Sequence, residues 1–243
     1  MGAPEPLDES RFASVLCVVA HPDDIEYGLS AAVARWTDAG KDVAYYLLTH
    51  GEAGIEGMDP AEAAPARADE ERAGAAVVGV ERVDLADWPD GVVEYGVPLR
   101  RDIAAQIRRV RPDLVVTLTH EDQFGGGGLN QADHRAVGLA TIDACADAGN
   151  RWVHRDLLDQ GLEPWHVGTL AVVASSRVTH YVDVTGRLDQ AIASLEEHRL
   201  YNAALPSDFP KPPELLQGSL GGGADLVDDP AVTHVLLLEV HER

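Results

Sequence analysis

The chain has 243 residues, and 19 Lys and Arg stand against 41 Asp and Glu, which gives a formal net charge of −22. Hydrophobic residues make up 45% of the chain and charged residues 25%, a balance that suits a globular domain and excludes general disorder. The excess of acid argues against a nucleic acid or an anionic membrane as partner, because both attract cationic surfaces.

The first residues and the cysteines predict where the protein resides. Residues 1–13 carry acids and two prolines, and the apolar run 14–20 that follows is too short for a secretory signal or a membrane span. Cys17 and Cys145 lie far apart in predicted regular elements, so we expect both to be reduced core residues. A cytoplasmic protein is therefore predicted, and a homo-oligomer is compatible with this interpretation.

Short apolar runs alternate with longer helical segments between residues 14 and 149. This alternation predicts an α/β fold, namely a Rossmann-like, mostly parallel sheet with helices on both faces. Pro65 and Pro98 are expected to begin helices, and Gly40 and Gly79 to end them. The predicted strands are 14–20, 42–49, 82–85 and 114–119, and the predicted helices are 26–39, 65–78, 97–111 and 133–148.

Residues 150–243 are predicted to complete the same domain after the core 14–149, with 1–13 as an N-terminal tail. Strands are expected at 168–175, 179–184 and 233–241, and a helix at 185–202. Five of the fourteen prolines and a glycine run fall within 203–231, which predicts a long loop there.

The predicted sheet points to the position of a functional site. In an open parallel sheet, ligands bind outside the carboxyl ends of the strands. His21, His50 and His120 each follow a predicted strand directly, and His134 lies at the start of the helix after the fourth strand. Any one of them can be an ordinary exposed loop residue, but their common placement indicates a site.

The segment His21-Pro22-Asp23-Asp24 follows the first predicted strand. An ordinary helix cap needs only one acid, whereas a histidine with two acids matches a divalent metal site. The imidazole and one carboxylate would bind the ion, and the other carboxylate would be free to act as a base. A third ligand must come from elsewhere, and Asp133-His134 is the best candidate.

Other common sites are absent from the sequence. No glycine-rich dinucleotide-binding turn follows the first strand, and the glycine run at 125–128 lacks the Lys-Ser/Thr of a phosphate-binding loop. Neither the G-x-S-x-G motif of α/β-hydrolases nor the HEXXH motif of metalloproteases occurs.

Six short motifs resemble those of the LmbE/PIG-L family of zinc-dependent N-deacetylases, and the resemblance spans residues 14–149. They are AHPDDIE at 20–26, LLTHGEAG at 47–54, RADE at 67–70, PDG at 89–91, RPDLVVT at 111–117 and ADHRAVG at 132–138. The resemblance implies that His21, Asp24 and His134 hold zinc and that Asp23 is the general base. It also implies that Arg67 and Asp90 bind sugar hydroxyls.

The chain departs from the family at one position. The family's usual H-P-D-H block reads Gln131-Ala132-Asp133-His134 here. The resemblance implies that the first histidine of the block stabilises the oxyanion or serves as general acid, whereas an amide can donate a hydrogen bond but cannot deliver a proton. Three alternatives follow: Asp23 makes both proton transfers, His120 substitutes for the missing histidine, or ordinary deacetylase activity is lost. Asp133 is expected to orient Gln131.

The predicted function is hydrolysis of the N-acyl amide of a small amino-sugar or sugar-conjugate substrate, with release of acetate and an amine. Zn²⁺ is the expected cofactor, although a His₂Asp site also accepts Fe²⁺. The alternatives are an amidase for thiol conjugates or other N-acyl small molecules, a deacylase for longer acyl groups, and a sugar-binding pseudoenzyme.

Overall fold

A computed structural model describes residues 3–243, and within that range the strands form one eight-stranded sheet in the order β1-β7-β8-β6-β5-β2-β3-β4. Strand β8 runs antiparallel to both of its neighbours, and every other pairing is parallel. The predicted mostly parallel sheet is thereby confirmed. The strands are β1 (Glu5–Pro6), β2 (Ser14–Val19), β3 (Asp42–Leu47), β4 (Arg82–Leu85), β5 (Leu114–Leu118), β6 (Thr169–Val173), β7 (His180–Asp183) and β8 (Val235–Glu242).

Helices cover both faces of the sheet, as predicted. One face packs against α1, α6 and α8 through a cluster that includes Trp36, Leu195 and Leu216. The other face packs against α3 and α4 through residues such as Ile103 and Val137. The helices are α1 (Leu29–Asp38), α2 (Pro60–Val77), α3 (Val97–Val110), α4 (Ala132–Gly149), α5 (Asp156–Asp159), α6 (Leu188–Glu196), α7 (Arg199–Ala204) and α8 (Pro212–Gly221).

The central strands are apolar along their whole length because both of their faces are buried. The sequences SVLCVV of β2 and LVVTL of β5 are rich in β-branched residues, which suit a pleated strand between two helical layers. Strand β2 pairs with β3 on one side and with β5 on the other. The strand order therefore reverses between β2 and β5, and a crevice opens beyond their carboxyl ends.

The predicted start of α2 at Pro65 is wrong. The helix begins at Pro60, and the Asp59 carboxylate caps it by accepting the N–H of Ala61 at 2.9 Å. Asp-Pro is a strong start signal, because the acid satisfies a free N–H and proline at the first position has none to satisfy. Pro65 lies inside the helix, whereas Gly40 and Gly79 do follow helix ends, with φ of +78° and +80°.

The predicted loop 203–231 is also wrong, because it contains α8 and a short 3-10 helix, Ala224–Leu226. Pro212 and Pro213 begin α8 instead of breaking it, and Leu216 and Leu220 are buried beneath it.

Two further segments differ from the predictions. The predicted helix 185–202 is divided into α6 and α7 at His198, whose φ and ψ of −76° and 56° interrupt the helix. In the predicted tail, β1 pairs with β7, so this segment is attached to the sheet. Cys17 and Cys145 are both free and buried. None of the helices described in residues 3–243 has the length and apolar character needed to cross a membrane.

Candidate metal centre

The segment between β2 and α1 folds back on itself through the Asp24 carboxylate. Asp24 Oδ2 accepts the backbone N–H of Ala20 at 3.0 Å and of His21 at 2.8 Å. These bonds satisfy buried donors at the strand end and leave Asp24 Oδ1 at 2.9 Å from His134 Nε2. Burial alone raises the pKa of Asp24, but the imidazoles of His134 and His21 hold it well below its ordinary value.

His21, Asp24 and His134 bring three ligand atoms together in a buried position. His21 Nδ1 lies 3.2 Å from His134 Nε2 and 3.6 Å from Asp24 Oδ2. Bond lengths of about 2.1 Å place the ligand atoms of a tetrahedral zinc ion about 3.4 Å apart, so the spacing fits such an ion. These three residues therefore form a site that could hold a metal ion.

The other nitrogen of each imidazole ring is also bonded. His21 Nε2 lies 3.0 Å from Asp90 Oδ1 and 3.3 Å from Asp133 Oδ2, and His134 Nδ1 lies 3.1 Å from Asn130 Oδ1. Such outer contacts fix the ring orientation and the tautomer of a metal-binding histidine. Burial lowers the pKa of His21, but Asp133, Asp24 and Asp90 raise it, and the net pKa lies well above the ordinary value. The surroundings thus favour positive charge.

Asp133 also ties a neighbouring loop to the site. Its carboxylate accepts the N–H of Gly91 at 2.7 Å and of Val93 at 3.1 Å. The expectation that Asp133 orients Gln131 is therefore wrong, because this carboxylate is occupied by the 91–93 backbone and by His21. Asp90 Oδ2 accepts the N–H of Ala53 at 2.7 Å, which joins the segment after β3 to the same site.

Asp23 is buried and has a strained backbone, with φ of +94°. A non-glycine residue in such a conformation costs about 1–3 kcal/mol and persists only where its surroundings hold it. Its N–H donates to Glu71 Oε2 at 3.0 Å, and its Oδ1 accepts from Arg67 Nη2 at 3.1 Å. Asp23 Oδ2 is buried without a hydrogen-bond partner. Burial raises the pKa of Asp23 to about 6, although Arg67 opposes the shift.

Arg67 is only 2% exposed and binds protein groups. Its Nη1 donates to the carbonyl of Gly51 at 2.9 Å and its Nη2 to that of Pro22 at 2.5 Å. The guanidinium carbon also lies 4.1 Å from the centre of the Tyr201 ring. The structure thus places the Arg67 guanidinium against Asp23 and the backbone next to it. A contact between Arg67 and a sugar stays a prediction.

The structure places His120 just after β5 and Gln131 directly before α4; these are the two candidates for a second proton donor. His120 is half-buried after β5, and its Nδ1 is buried without a partner. Gln131 is exposed at the N-terminus of α4. Within the part of the chain that the structure describes, neither side chain makes a hydrogen bond or ion pair to His21, Asp24 or His134.

Sequence reasoning missed three polar residues of this region: Asn130, Glu71 and His198. Glu71 left a helical signal, since it lies four residues after Arg67 on α2. Asn130 left none, because it lies before the N-cap of α4. His198 left none, because it reaches the region only through the break between α6 and α7.

The fold and the site define an α/β protein with a buried His-Asp-His donor set at the switch point of its sheet. The sequence profile of the PIG-L family, described as GlcNAc-PI de-N-acetylase, matches residues 16–145, more than half of the chain. The chain belongs to this family. The predicted family and fold class are confirmed, and at the level of the family so is the predicted hydrolase acting on N-acetylated amino sugars.

Individual relatives cover most of the chain. The diacetylchitobiose deacetylase of Thermococcus kodakarensis is 29% identical over 196 residues, which are 80% of this chain and 71% of the relative. The 1D-myo-inositol 2-acetamido-2-deoxy-alpha-D-glucopyranoside deacetylase of Kineococcus radiotolerans is 29% identical over 258 aligned positions, covering 80% of this chain and 70% of that protein. The solved N,N'-diacetylchitobiose deacetylase of Pyrococcus horikoshii superposes with a TM-score of 0.85 at 23% identity, over 96% of this chain and 85% of the other. At that identity the superposition supports the fold alone.

Proposed function

We propose that this protein is a metal-dependent N-deacetylase that hydrolyses the acetamide of an N-acetylated amino sugar to acetate and a free amine. One observation carries the proposal: three buried ligand atoms converge beside a separate carboxylate that keeps one oxygen without a partner. Amide hydrolysis needs both an electrophilic centre and a base, and this arrangement offers a residue set for each.

His21 Nδ1, a carboxylate oxygen of Asp24 and His134 Nε2 would hold the ion. When bound, a divalent ion lowers the pKa of water towards about 7 and polarises the acyl carbonyl. We propose zinc, because two imidazoles and one carboxylate are a common donor set for catalytic zinc; the same donors accept Fe²⁺.

Asp23 would move the proton. Its free Oδ2 would accept a proton from the attacking water and deliver it to the amine nitrogen as the C–N bond breaks. One proton is taken and one is returned, so the carboxylate is regenerated. We assign both transfers to Asp23 because its Oδ2 is buried without a partner and the exposed Gln131 amide cannot release a proton. The His120→Ala variant tests the alternative donor.

The substrate class comes from the relatives whose names specify N-acetylated amino sugars. We propose that a small cytoplasmic molecule of this class is the substrate and that Asp90 contacts a sugar hydroxyl. Arg67 is proposed to act on the substrate through Asp23, since two of its nitrogens already donate to backbone carbonyls.

A substrate screen tests the proposal. Purified protein is incubated with N-acetylglucosamine, diacetylchitobiose and N-acetylglucosaminyl inositol, and free amine is measured with an amine-reactive dye. We expect amine release from at least one sugar, loss of that activity with a chelator, and recovery when Zn²⁺ or Fe²⁺ is added back. Release that persists after complete metal removal would contradict a metal-dependent mechanism, and no release from any N-acyl sugar would favour a sugar-binding protein without activity.

A further inference from the structure

A second group of ionisable side chains contacts Asp23 through the Asp23 backbone N–H. The proposed mechanism does not use this group. We call Glu26, Glu71 and His198 the rear cluster; all three residues are fully buried. His198 Nε2 lies 3.5 Å from Glu26 Oε2 and 3.8 Å from Glu71 Oε2. Neither distance is that of a good hydrogen bond, and Glu26 Oε2, Glu71 Oε1 and both nitrogens of His198 lack a partner.

The rear cluster reaches the proposed active site through one contact. Glu71 Oε2 accepts the N–H of Asp23, whose backbone adopts a conformation that L-residues rarely take. Arg67, one helical turn earlier on α2, donates to the carbonyl of Pro22 and to Asp23 Oδ1. Two side chains of one helix thus hold the backbone before Asp23 and one oxygen of its carboxylate, which leaves Asp23 Oδ2 as the free atom.

The packing of α2 against α6 brings His198 to this position. A Cβ atom at Gly74 would lie 3.0 Å from the carbonyl oxygen of Ser194 and 3.3 Å from His198 Nε2. Ser194 Oγ lies 2.9 Å from the carbonyl of Gly74, to which it donates, and 3.3 Å from Glu26 Oε1. The close approach at Gly74 therefore places an imidazole 3.8 Å from Glu71 Oε2, the oxygen that accepts the Asp23 N–H.

We propose that Glu71 is a positioning residue, which holds the strained Asp23 backbone so that Asp23 Oδ2 faces the reacting atoms, and that Glu26 and His198 pack against Glu71. This inference rests on the proposed function, because it takes Asp23 as the base. It assigns the carboxyl of Glu71 no contact with substrate or metal.

The same three side chains could be considered as a second metal site, since their donor atoms lie within 4.8 Å of one another. A closed structural zinc site takes four protein ligands, and the described residues supply three here. Glu71 Oε2 already accepts a hydrogen bond from Asp23. We therefore assign a supporting role, and the number of bound ions tests it.

A mutant cycle separates positioning from general structural damage. Glu71→Met fills the space but removes the acceptor, Glu71→Gln keeps an oxygen that can accept the Asp23 N–H, and Glu62→Gln changes an exposed acid on the same helix. Glu71→Ala is the second variant in case Glu71→Met does not fold. Each variant is made alone, and Glu71→Met and Glu71→Ala are also each combined with Asp23→Asn. For every variant, kcat, KM and bound metal are measured.

We expect Glu71→Met to lower kcat about 30-fold with KM changed less than about twofold, as for an interaction made in the transition state. Glu71→Gln should recover most of that loss, Glu62→Gln should match the wild type, and all variants should bind one ion. In the Asp23→Asn background the Glu71 change should have no further effect, because residues that act as a unit are non-additive.

The outcomes of the cycle are distinguishable. A full additional loss from Glu71→Met in the Asp23→Asn background, an effect confined to KM, or failure of Glu71→Gln to restore activity would overturn the positioning role. A second ion that disappears with Glu71→Met would identify the rear cluster as a metal site instead. Near-normal turnover of Asp23→Asn alone would overturn the assignment of Asp23 as the base, and the absence of amine release from the wild type would overturn the proposed function; both are separate results.

Discussion

Two buried clusters of carboxylates and imidazoles lie side by side along residues 21–26, and they differ in how their atoms are bonded. In the ligand set, His21, Asp24 and His134, the carboxylate and both rings have partners on every oxygen and nitrogen. In the rear cluster, four side-chain oxygens and nitrogens have none. The same residue types thus form two very different environments.

The pKa values follow the bonding. The imidazoles of His134 and His21 keep the pKa of Asp24 well below its ordinary value despite burial. Burial raises the pKa of Glu26 to about 8 and that of Glu71 well above its ordinary value, because little opposes the loss of water there. The comparison indicates that the neighbouring side chains, more than the choice of residue, determine whether a buried carboxylate stays ionised.

The largest effect is expected from Asp23→Asn, since Asp23 lies between the two clusters and is the proposed base. The amide cannot accept the proton of water, so kcat should fall about 10²–10⁴-fold, the usual contribution of general base catalysis. Bound metal should stay at the wild-type level, because Asp23 is not among the three ligands. Turnover within about threefold of the wild type would remove Asp23 from its role.

A smaller effect is expected from Asp133→Ala, which removes an outer contact of the ligand set. His21 loses one of its two Nε2 partners, and the N–H groups of Gly91 and Val93 lose their acceptor. Loss of such a contact typically weakens metal binding about 10–100-fold, which a competition titration with a chelating dye measures. Asp159→Ala, at an exposed position on α5, is the control. Equal affinities in the two variants would show that orientation from Asp133 is unimportant.

The smallest effects are expected from His120→Ala and Gln131→Ala. If Asp23 makes both proton transfers, each variant should keep kcat within about tenfold of the wild type, which corresponds to less than about 1.4 kcal/mol in the barrier. A loss of more than a hundredfold confined to His120→Ala would assign the second transfer to His120. The same loss confined to Gln131→Ala would show that its amide stabilises the transition state.

The sequence was sufficient for features that follow from local patterns and from the common edge at which parallel strands end. The four strands of the 14–149 core and the convergence of His21, Asp24 and His134 follow from apolar runs and from the rule that parallel strands end at one edge. Features set by distant packing could not be predicted. His198 enters the interior because Gly74 lets α6 approach α2, and Pro212 begins a helix because Leu216 and Leu220 find an apolar face to cover.

Asp133 shows the same limit within the site itself. The family resemblance suggested that Asp133 orients Gln131, but its carboxylate binds His21 and the backbone of residues 91 and 93, the latter about 40 positions away in the sequence. No local pattern encodes such a contact, because it depends on how the loops after separate strands meet.

The central claim is that His21, Asp24 and His134 hold a divalent ion, and metal content tests it most directly. The wild type and a His21→Ala/His134→Ala double variant are purified in parallel, loaded with Zn²⁺, desalted and measured by inductively coupled plasma mass spectrometry. Circular dichroism confirms that both are folded. The account predicts about one ion per chain in the wild type and almost none in the double variant; a folded double variant that retains the full ion content would contradict it.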